Sequence, residues 1–438
     1  MTWKLVTPFV VCVLAWVFFK QTASSKNSVV VQALQYLSRP HDFWTTSHSN
    51  AIHEIITTDS AWNGTYMAQH PDIWTEYLSS DDISSLHEAM QHFQRLNISV
   101  DAMTINDFPL SENLKDKITK WKYQLGPNGR GFQLIKGVPV RDWTMGQCEI
   151  FFWAFGKYLG IPGAQDMEGS LLGHVTDVGE TNKVERPYRK RVDIAYHCDG
   201  ADIVGLLCVH PAKSGGQSRI ISAVSVYNTL LTHPKGQSYI NRLFGRVLLF
   251  TRKSFGLSSY LPVNPLRMDS VGVLRTYWNQ DYFVKSYRDV EGGVKPPGES
   301  DSFALEAIEA YDAILARDIR RRLAASGRGG GAEEGDGDGV ELGLDMSLQQ
   351  GDVQLVSNHF VMHARTEFED YSSDELRELL RESNGEGGST VPAFGKRDLL
   401  RLWVSESTEH MSWELYFSKK IDLCRVIGGL VEGLIWYR

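Results

Sequence analysis

A histidine and an aspartate two residues apart, His197 and Asp199 in the run Tyr196-His197-Cys198-Asp199-Gly200, have the spacing to share one metal ion. On an extended strand, or the turn leaving it, side chains two apart point to the same side of the backbone. A third ligand from far along the chain would complete a two-histidine-one-carboxylate set on one face of a non-haem iron, leaving positions open for oxygen and a co-substrate. The run Asn358-His359-Phe360-Val361-Met362-His363-Ala364-Arg365 offers that ligand, best as His363. If the run is a strand, His359 and His363 face one side, so period alone does not decide between them.

Two further groups suit an anionic co-substrate. In Lys396-Arg397-Asp398-Leu399-Leu400-Arg401-Leu402-Trp403-Val404, Arg401 stands at the start of an apolar strand. A buried guanidinium needs an anionic partner, and a planar carboxylate is its best geometric match. Standing alone, Arg401 reads more simply as a structural ion pair. The run Gly215-Gly216-Gln217-Ser218 is a tight turn into a strand and sets the Ser218 hydroxyl near the mouth as a donor. His197-x-Asp199 alone also fits an N-cap aspartate beside a surface histidine. Its setting favours the metal: a strand leads in, Gly200 permits a sharp turn, and a mostly apolar strand follows.

Those residues need a scaffold. Short apolar segments of strand length separated by turn residues fall at 132–135, 170–176, 192–197, 203–209, 219–222, 246–251, 274–277, 352–356 and 401–404. Their irregular spacing suggests a barrel or sandwich, not a parallel α/β sheet. Helical spacing appears at 84–93, with Asp81 and Asp82 as N-cap candidates, at 114–125, at 145–159 ending on Gly160, and at 302–324. A Gly-rich acidic insert at about 326–340 and a second soft insert at 383–390 read as flexible connections. The apolar tail at 426–436 reads as a packing or dimer-forming helix.

The chain has 438 residues, 42% hydrophobic and 22% charged, which is ordinary for a globular protein with a sizeable core. A net charge of −8 lacks the basic excess that a phosphate-tracking surface needs, so nucleic acid is excluded as a partner. Five cysteines without a CxxC pair form neither a disulfide framework nor a zinc knuckle. Residues 5–19 are almost purely apolar between Lys4 and Lys20, short for a span and suited to a signal segment or a short membrane anchor. Asn63-Gly64-Thr65 and Asn97-Ile98-Ser99 are glycosylation sequons that matter only in a lumenal setting.

The series HxD, GGxS, NHxxxHAR and RDLLRLW, in that order over roughly residues 129–404, resembles the TauD/TfdA family of iron(II)- and 2-oxoglutarate-dependent dioxygenases, in particular its fungal members. The resemblance implies an α+β fold: a double-stranded β-helix (jelly-roll, cupin-like) core with flanking helices and a helical N-terminal region. The domain organisation that follows is an N-terminal hydrophobic segment (1–28), a helical lead-in (29–128) and the dioxygenase domain (129–438). Residue by residue, the resemblance implies His197, Asp199 and His363 as iron ligands, and Ser218 and Arg401 as contacts to the 2-oxoglutarate C5 carboxylate. Arg397 matches a second family arginine near the C1 carboxylate or an anionic substrate, and His359 flanks the site without binding metal.

The expected reaction is oxidation of a small organic molecule, by hydroxylation, desaturation or cyclisation, using iron(II), 2-oxoglutarate and dioxygen, with ascorbate as an auxiliary reductant. The expected substrate is a secondary-metabolite intermediate or an amino or sulfonic acid. The rival readings are a non-catalytic, membrane-tethered binding protein of the same fold and a zinc hydrolase built on the same three ligands. A lumenal site sits poorly with the iron(II) and 2-oxoglutarate requirement. The expected location is therefore membrane-associated through residues 5–19 with the catalytic domain facing the cytosol, or cytoplasmic without an anchor.

Overall fold

Alternation builds the core. In the strand Val361–Arg365 the residues Val361 and His363 point one way, while Met362 and Ala364 pack among apolar side chains on the other. The same period of two divides Leu399, Arg401 and Trp403 from Leu400, Leu402 and Val404 in the strand Asp398–Ser405. Both strands are therefore covered on both faces, one by a second sheet and the other by helices. This computed structural model describes residue 47 and residues 49–163, 170, 172–177, 191–250, 260–288, 298–325, 340–382 and 395–406.

The strands that carry the site are β1 (Thr75–Tyr77), β2 (Phe132–Lys136), β3 (Ile161–Gly163), β4 (Gly173–Val175), β5 (Ile194–His197), β6 (Ile203–His210), β7 (Ser218–Ser222), β8 (Gly343–Met346), β9 (Val353–Ser357), β10 (Val361–Arg365) and β11 (Asp398–Ser405). They form two facing sheets. The larger has the order β1-β2-β9-β6-β11-β3, with β4 also paired to β11; the smaller has the order β8-β7-β10-β5. Apart from the parallel pair of β1 with β2, the ladders in these sheets are antiparallel. Non-sequential neighbours in both sheets give the jelly-roll pattern expected from the resemblance. The inner faces meet in a core of Phe132, Val204, Ile220, Val356, Val361, Leu399 and Trp403.

Helices close the two outer faces. Three of them, α1 (Ser80–Leu96), α2 (Glu112–Leu125) and α3 (Met145–Leu159), cover the larger sheet, placing Phe93, Trp121 and Phe152 against Leu207, Leu355 and Leu402. Three more, α4 (Ala223–Leu231), α5 (Gly236–Phe244) and α6 (Ser302–Ala325), cover the smaller sheet and bury Tyr227, Ile240 and Tyr311 there. The start of α1 differs from the sequence expectation. Ser79 is the cap, and Asp82 is the third residue of a capping box with it, because the serine oxygen reaches the Asp82 amide while the Asp82 carboxylate returns to the Ser79 amide.

At the end of α3, Gly160 has extended φ, so its value there is space: a Cβ would stand 2.4 Å from the Ser405 carbonyl oxygen. Among the described residues no helix is long and apolar enough to cross a membrane. Residues 5–19, residues 326–339, residues 383–390 and residues 426–436 lie outside the described residues.

Candidate metal centre and co-substrate site

His197 is the last residue of β5, and its strand is fixed from behind. The preceding Tyr196 points outward, and its hydroxyl donates to Asp318 Oδ2 at 2.8 Å on α6. The other Asp318 oxygen accepts the Gly343 amide of β8 at 2.9 Å. Held in this way, His197 sits directly opposite His363 in the β5/β10 ladder, and the two ring centroids are 4.3 Å apart. His197 Nδ1 lies 2.9 Å from the Ala195 carbonyl oxygen. A carbonyl can only accept, so Nδ1 carries the proton and Nε2 presents its lone pair to the cavity.

Asp199 lies two residues past the strand, on a loop that the turn at Asn358 and His359 ties down. The Asp199 amide donates to Asn358 Oδ1 at 3.2 Å, Asn358 Nδ2 donates to the Ala201 carbonyl at 2.6 Å, and the Asn358 amide donates to the Asp202 carbonyl at 2.8 Å. His359 Nε2 meets Asp202 Oδ1 at 2.7 Å, both side chains fully buried. Burial pushes the Asp202 carboxyl far above the usual carboxylate range. This separates the two histidines that strand period leaves level: residues 358–360 form a turn, β10 starts only at Val361, and His359 is engaged away from the cavity.

The ligating atoms of His197, Asp199 and His363 all lie within 4.8 Å of one another. His197 Nε2 is 3.8 Å from Asp199 Oδ1, and His363 Nε2 is 3.7 Å from Asp199 Oδ2. Donors bound at roughly 2.0–2.2 Å in cis positions stand about 3 Å apart, so each histidine lies within about an ångström of its bound separation from Asp199. Two neutral imidazoles and one carboxylate are a donor set for iron(II), and the set fits. Burial, with His363 next, pushes the His197 imidazole down to about 4, which keeps it a free base at neutral pH. Burial raises the Asp199 carboxyl, but Arg401 and then the two histidines outweigh it and hold the group well below its ordinary range.

A cavity of about 60 Å³ opens beside these three residues, walled by Val175, Ile194, Val204, Leu206 and Leu399 and carrying Ser218, Arg365, Arg397 and Arg401. Arg401 Nη1 lies 3.4 Å from Asp199 Oδ2. Arg397 Nη1 donates to the Val175 carbonyl at 3.1 Å, and its guanidinium stands 4.8 Å from the centre of the Phe368 ring. The Arg365 guanidinium stands 4.9 Å from that same ring. Ser218 Oγ donates to Gln354 Oε1 at 2.7 Å. All six residues expected from the sequence thus border one cavity.

The sequence reading missed Trp403, Asn358, Gln354 and Phe368 as parts of this site. Trp403 Nε1 donates to Asp199 Oδ2 at 3.1 Å. Its signal was available, since it lies two residues beyond Arg401 on an alternating strand. The partners of Gln354 and Phe368 come from other strands, and nothing local marks them. Trp153, Tyr196 and Trp278, aromatics better read as core than as pocket, are buried under the helices.

Residues 94–244 match the family described as "Taurine catabolism dioxygenase TauD, TfdA family". The chain is 26% identical over 337 residues to FR-33289 synthase from Streptomyces rubellomurinus, covering 74% of this chain and 89% of that one. It is 22% identical over 342 residues to the taurine hydroxylase-like protein SAT17 from Stachybotrys chartarum, covering 74% and 78%. In fold it is similar to an asparagine oxygenase solved with iron(II), 3-hydroxyasparagine and succinate, with a TM-score of 0.51, 16% identity, and coverage of 76% of this chain and 94% of that one. The non-haem iron oxygenase OrfP, solved with iron and alpha-ketoglutaric acid, has a TM-score of 0.50 at 12% identity, with coverage of 77% and 99%. Motif order, jelly-roll core and the match over residues 94–244 agree: the chain is similar to the TauD/TfdA family and reads as a 2-oxoglutarate-dependent non-haem iron dioxygenase.

Proposed function

We propose that His197, Asp199 and His363 hold the iron, that Arg401, Arg397 and Ser218 hold 2-oxoglutarate, and that the substrate is a small amino or sulfonic acid or a secondary-metabolite intermediate. The observation that carries this is the convergence of the three ligating side chains beside an arginine-lined cavity. The bound iron, with 2-oxoglutarate and dioxygen, supplies the oxidation of a substrate C–H bond as 2-oxoglutarate goes to succinate and carbon dioxide.

The chain's own residues bind, orient and exclude water. The Ala195 carbonyl fixes the tautomer of His197, burial keeps that imidazole a free base, and Asp199 is kept ionised by Arg401. Because Arg401 touches a metal ligand, it belongs at the metal end of the co-substrate, and Arg397, on the Phe368 ring, belongs at the far carboxylate. The two ends that the resemblance implies for these arginines are thereby reversed, and the Arg401–Asp199 contact supports the reversal. The apolar walls from Val175, Ile194, Leu206 and Leu399 keep the reacting centre dry, which strengthens each charged contact inside it.

The names of the curated relatives, a synthase and a taurine hydroxylase-like protein, support a small-molecule substrate. Residues 5–19 would attach the chain to a membrane with the catalytic part facing the cytosol, a part of the proposal that rests on that apolar run. The test is comparison of metabolites from cells carrying the wild type or His197→Ala, together with succinate formation by the purified protein. A product that disappears with His197→Ala, and succinate formed only with iron and oxygen, is expected. Equal metabolite profiles and no succinate would overturn the reading.

A further inference from the structure

We infer that Trp403 is a positioning residue for both halves of the site: its indole N–H fixes the Asp199 carboxylate, and its ring face seats the Arg401 guanidinium. The inference rests on the reading of His197, Asp199 and His363 as iron ligands. Trp403 is buried on the inward side of β11, two residues beyond Arg401, so the two side chains are neighbours on one face. Nε1 donates to Asp199 Oδ2 at 3.1 Å, while the Arg401 guanidinium carbon lies 4.8 Å from the centre of the indole ring.

Each contact does separate work. Oδ2 also lies 3.4 Å from Arg401 Nη1 and 3.7 Å from His363 Nε2, while Oδ1 lies 3.8 Å from His197 Nε2. A carboxylate with one oxygen held by a fixed donor cannot rotate freely, so its two oxygens keep distinct duties. An indole N–H is a donor only, which makes the hold insensitive to pH, unlike one from a histidine or lysine. The Arg401 contact to Asp199 is longer than the roughly 2.7–2.9 Å of a tight charge-assisted bond. The aromatic face therefore shares with the ion pair in setting where the guanidinium lies.

Two substitutions separate the duties. Trp403→Phe keeps a ring for Arg401 and removes the N–H; Trp403→Leu removes both. Anaerobic titration of the metal-free full chain with iron(II) is expected to show affinity weakened about tenfold or more in Trp403→Phe, as for other groups that orient metal ligands. The affinity for 2-oxoglutarate, measured at saturating metal, stays close to wild type in Trp403→Phe and falls in Trp403→Leu. Iron affinity equal to wild type in Trp403→Phe, or unchanged 2-oxoglutarate affinity in Trp403→Leu, overturns the inference.

If Asp199→Ala binds iron as tightly as the wild type, the ligand assignment itself fails, which is a different result. Should Trp403→Phe not fold, wild-type protein carrying ¹⁵N-labelled tryptophan decides the matter. One indole N–H resonance, shifted downfield by a carboxylate acceptor, must move on Asp199→Ala; no movement overturns the inference.

Discussion

His197 and His363 are direct cross-strand partners in the β5/β10 ladder, with ring centroids 4.3 Å apart and ring planes at 51°. Their proximity is a property of strand register, not of a flexible loop. A slip of one residue in either strand would turn an imidazole outward, beneath the helical layer where Met362 and Ala364 now pack. The register is secured from both sides, because β10 also pairs with β7 from Val361 to Arg365 and the residue before His197 is bonded to Asp318. Two of the three proposed ligands are thus placed by the sheet itself, and only Asp199 depends on a loop.

That dependence gives a first prediction. Asn358 makes three hydrogen bonds to the segment from Asp199 to Asp202 and is itself buried. Asn358→Ala leaves the Asp199 amide and the Ala201 carbonyl without that partner, a cost of about 1–3 kcal/mol for each unsatisfied buried group. Melting should fall by several degrees and iron affinity by at least about tenfold. Thermal unfolding and metal titration check both, and unchanged iron affinity would show that the loop holds its shape unaided.

The two arginines should separate kinetically. Lysine cannot reproduce a planar fork, so neither exchange is conservative. Arg397→Lys is expected to raise the KM for 2-oxoglutarate by roughly tenfold or more while leaving iron affinity intact, since truncating one partner of a buried charge pair costs about 2–5 kcal/mol. Arg401→Lys should disturb iron affinity and co-substrate binding together, because Arg401 touches Asp199. Steady-state kinetics with 2-oxoglutarate varied, paired with metal titration, distinguishes them.

A third prediction concerns pH. His174 on β4 lies 3.0 Å from Asp398 and 3.3 Å from Glu149, and those carboxylates, Asp398 first, raise its imidazole to about 10. In the unfolded chain it titrates near 6.5. Its contribution to stability is therefore complete below about pH 6.5 and is lost as pH rises towards 10. The side chain is partly exposed, so solvent screening makes the effect modest. The wild type should lose melting temperature between pH 7 and 10 by more than His174→Gln does. Because β4 also carries the Val175 carbonyl that Arg397 holds, 2-oxoglutarate affinity should weaken over the same window. Parallel curves for the two proteins would contradict this.

Much of this site was legible in the sequence. The apolar run around Arg401 announces a strand that carries an arginine, and the structure puts Arg401 within β11 on the face that lines the cavity. The helices at 114–125 and 145–159 follow from apolar spacing, and the second stops at Gly160 as read from the sequence. What could not be read was any relation fixed by tertiary contact. Strand period leaves His359 and His363 equal, and only the turn at 358–360, with Asp202 waiting for His359, separates them. The roles of Gln354 and Phe368 depend on strands brought together from distant parts of the chain. The cap of α1 was misplaced because Asp81 and Asp82 are as good caps by type as Ser79, and geometry alone gives the serine that position.

The most direct test is anaerobic titration of iron(II) into the metal-free wild type and into His197→Ala, His363→Ala and His359→Gln. The account predicts one ion per chain in the wild type, at least about a hundredfold loss of affinity when either cavity histidine is removed, and retained binding in His359→Gln. Retained binding in His363→Ala, or its loss only in His359→Gln, would contradict the three-residue centre.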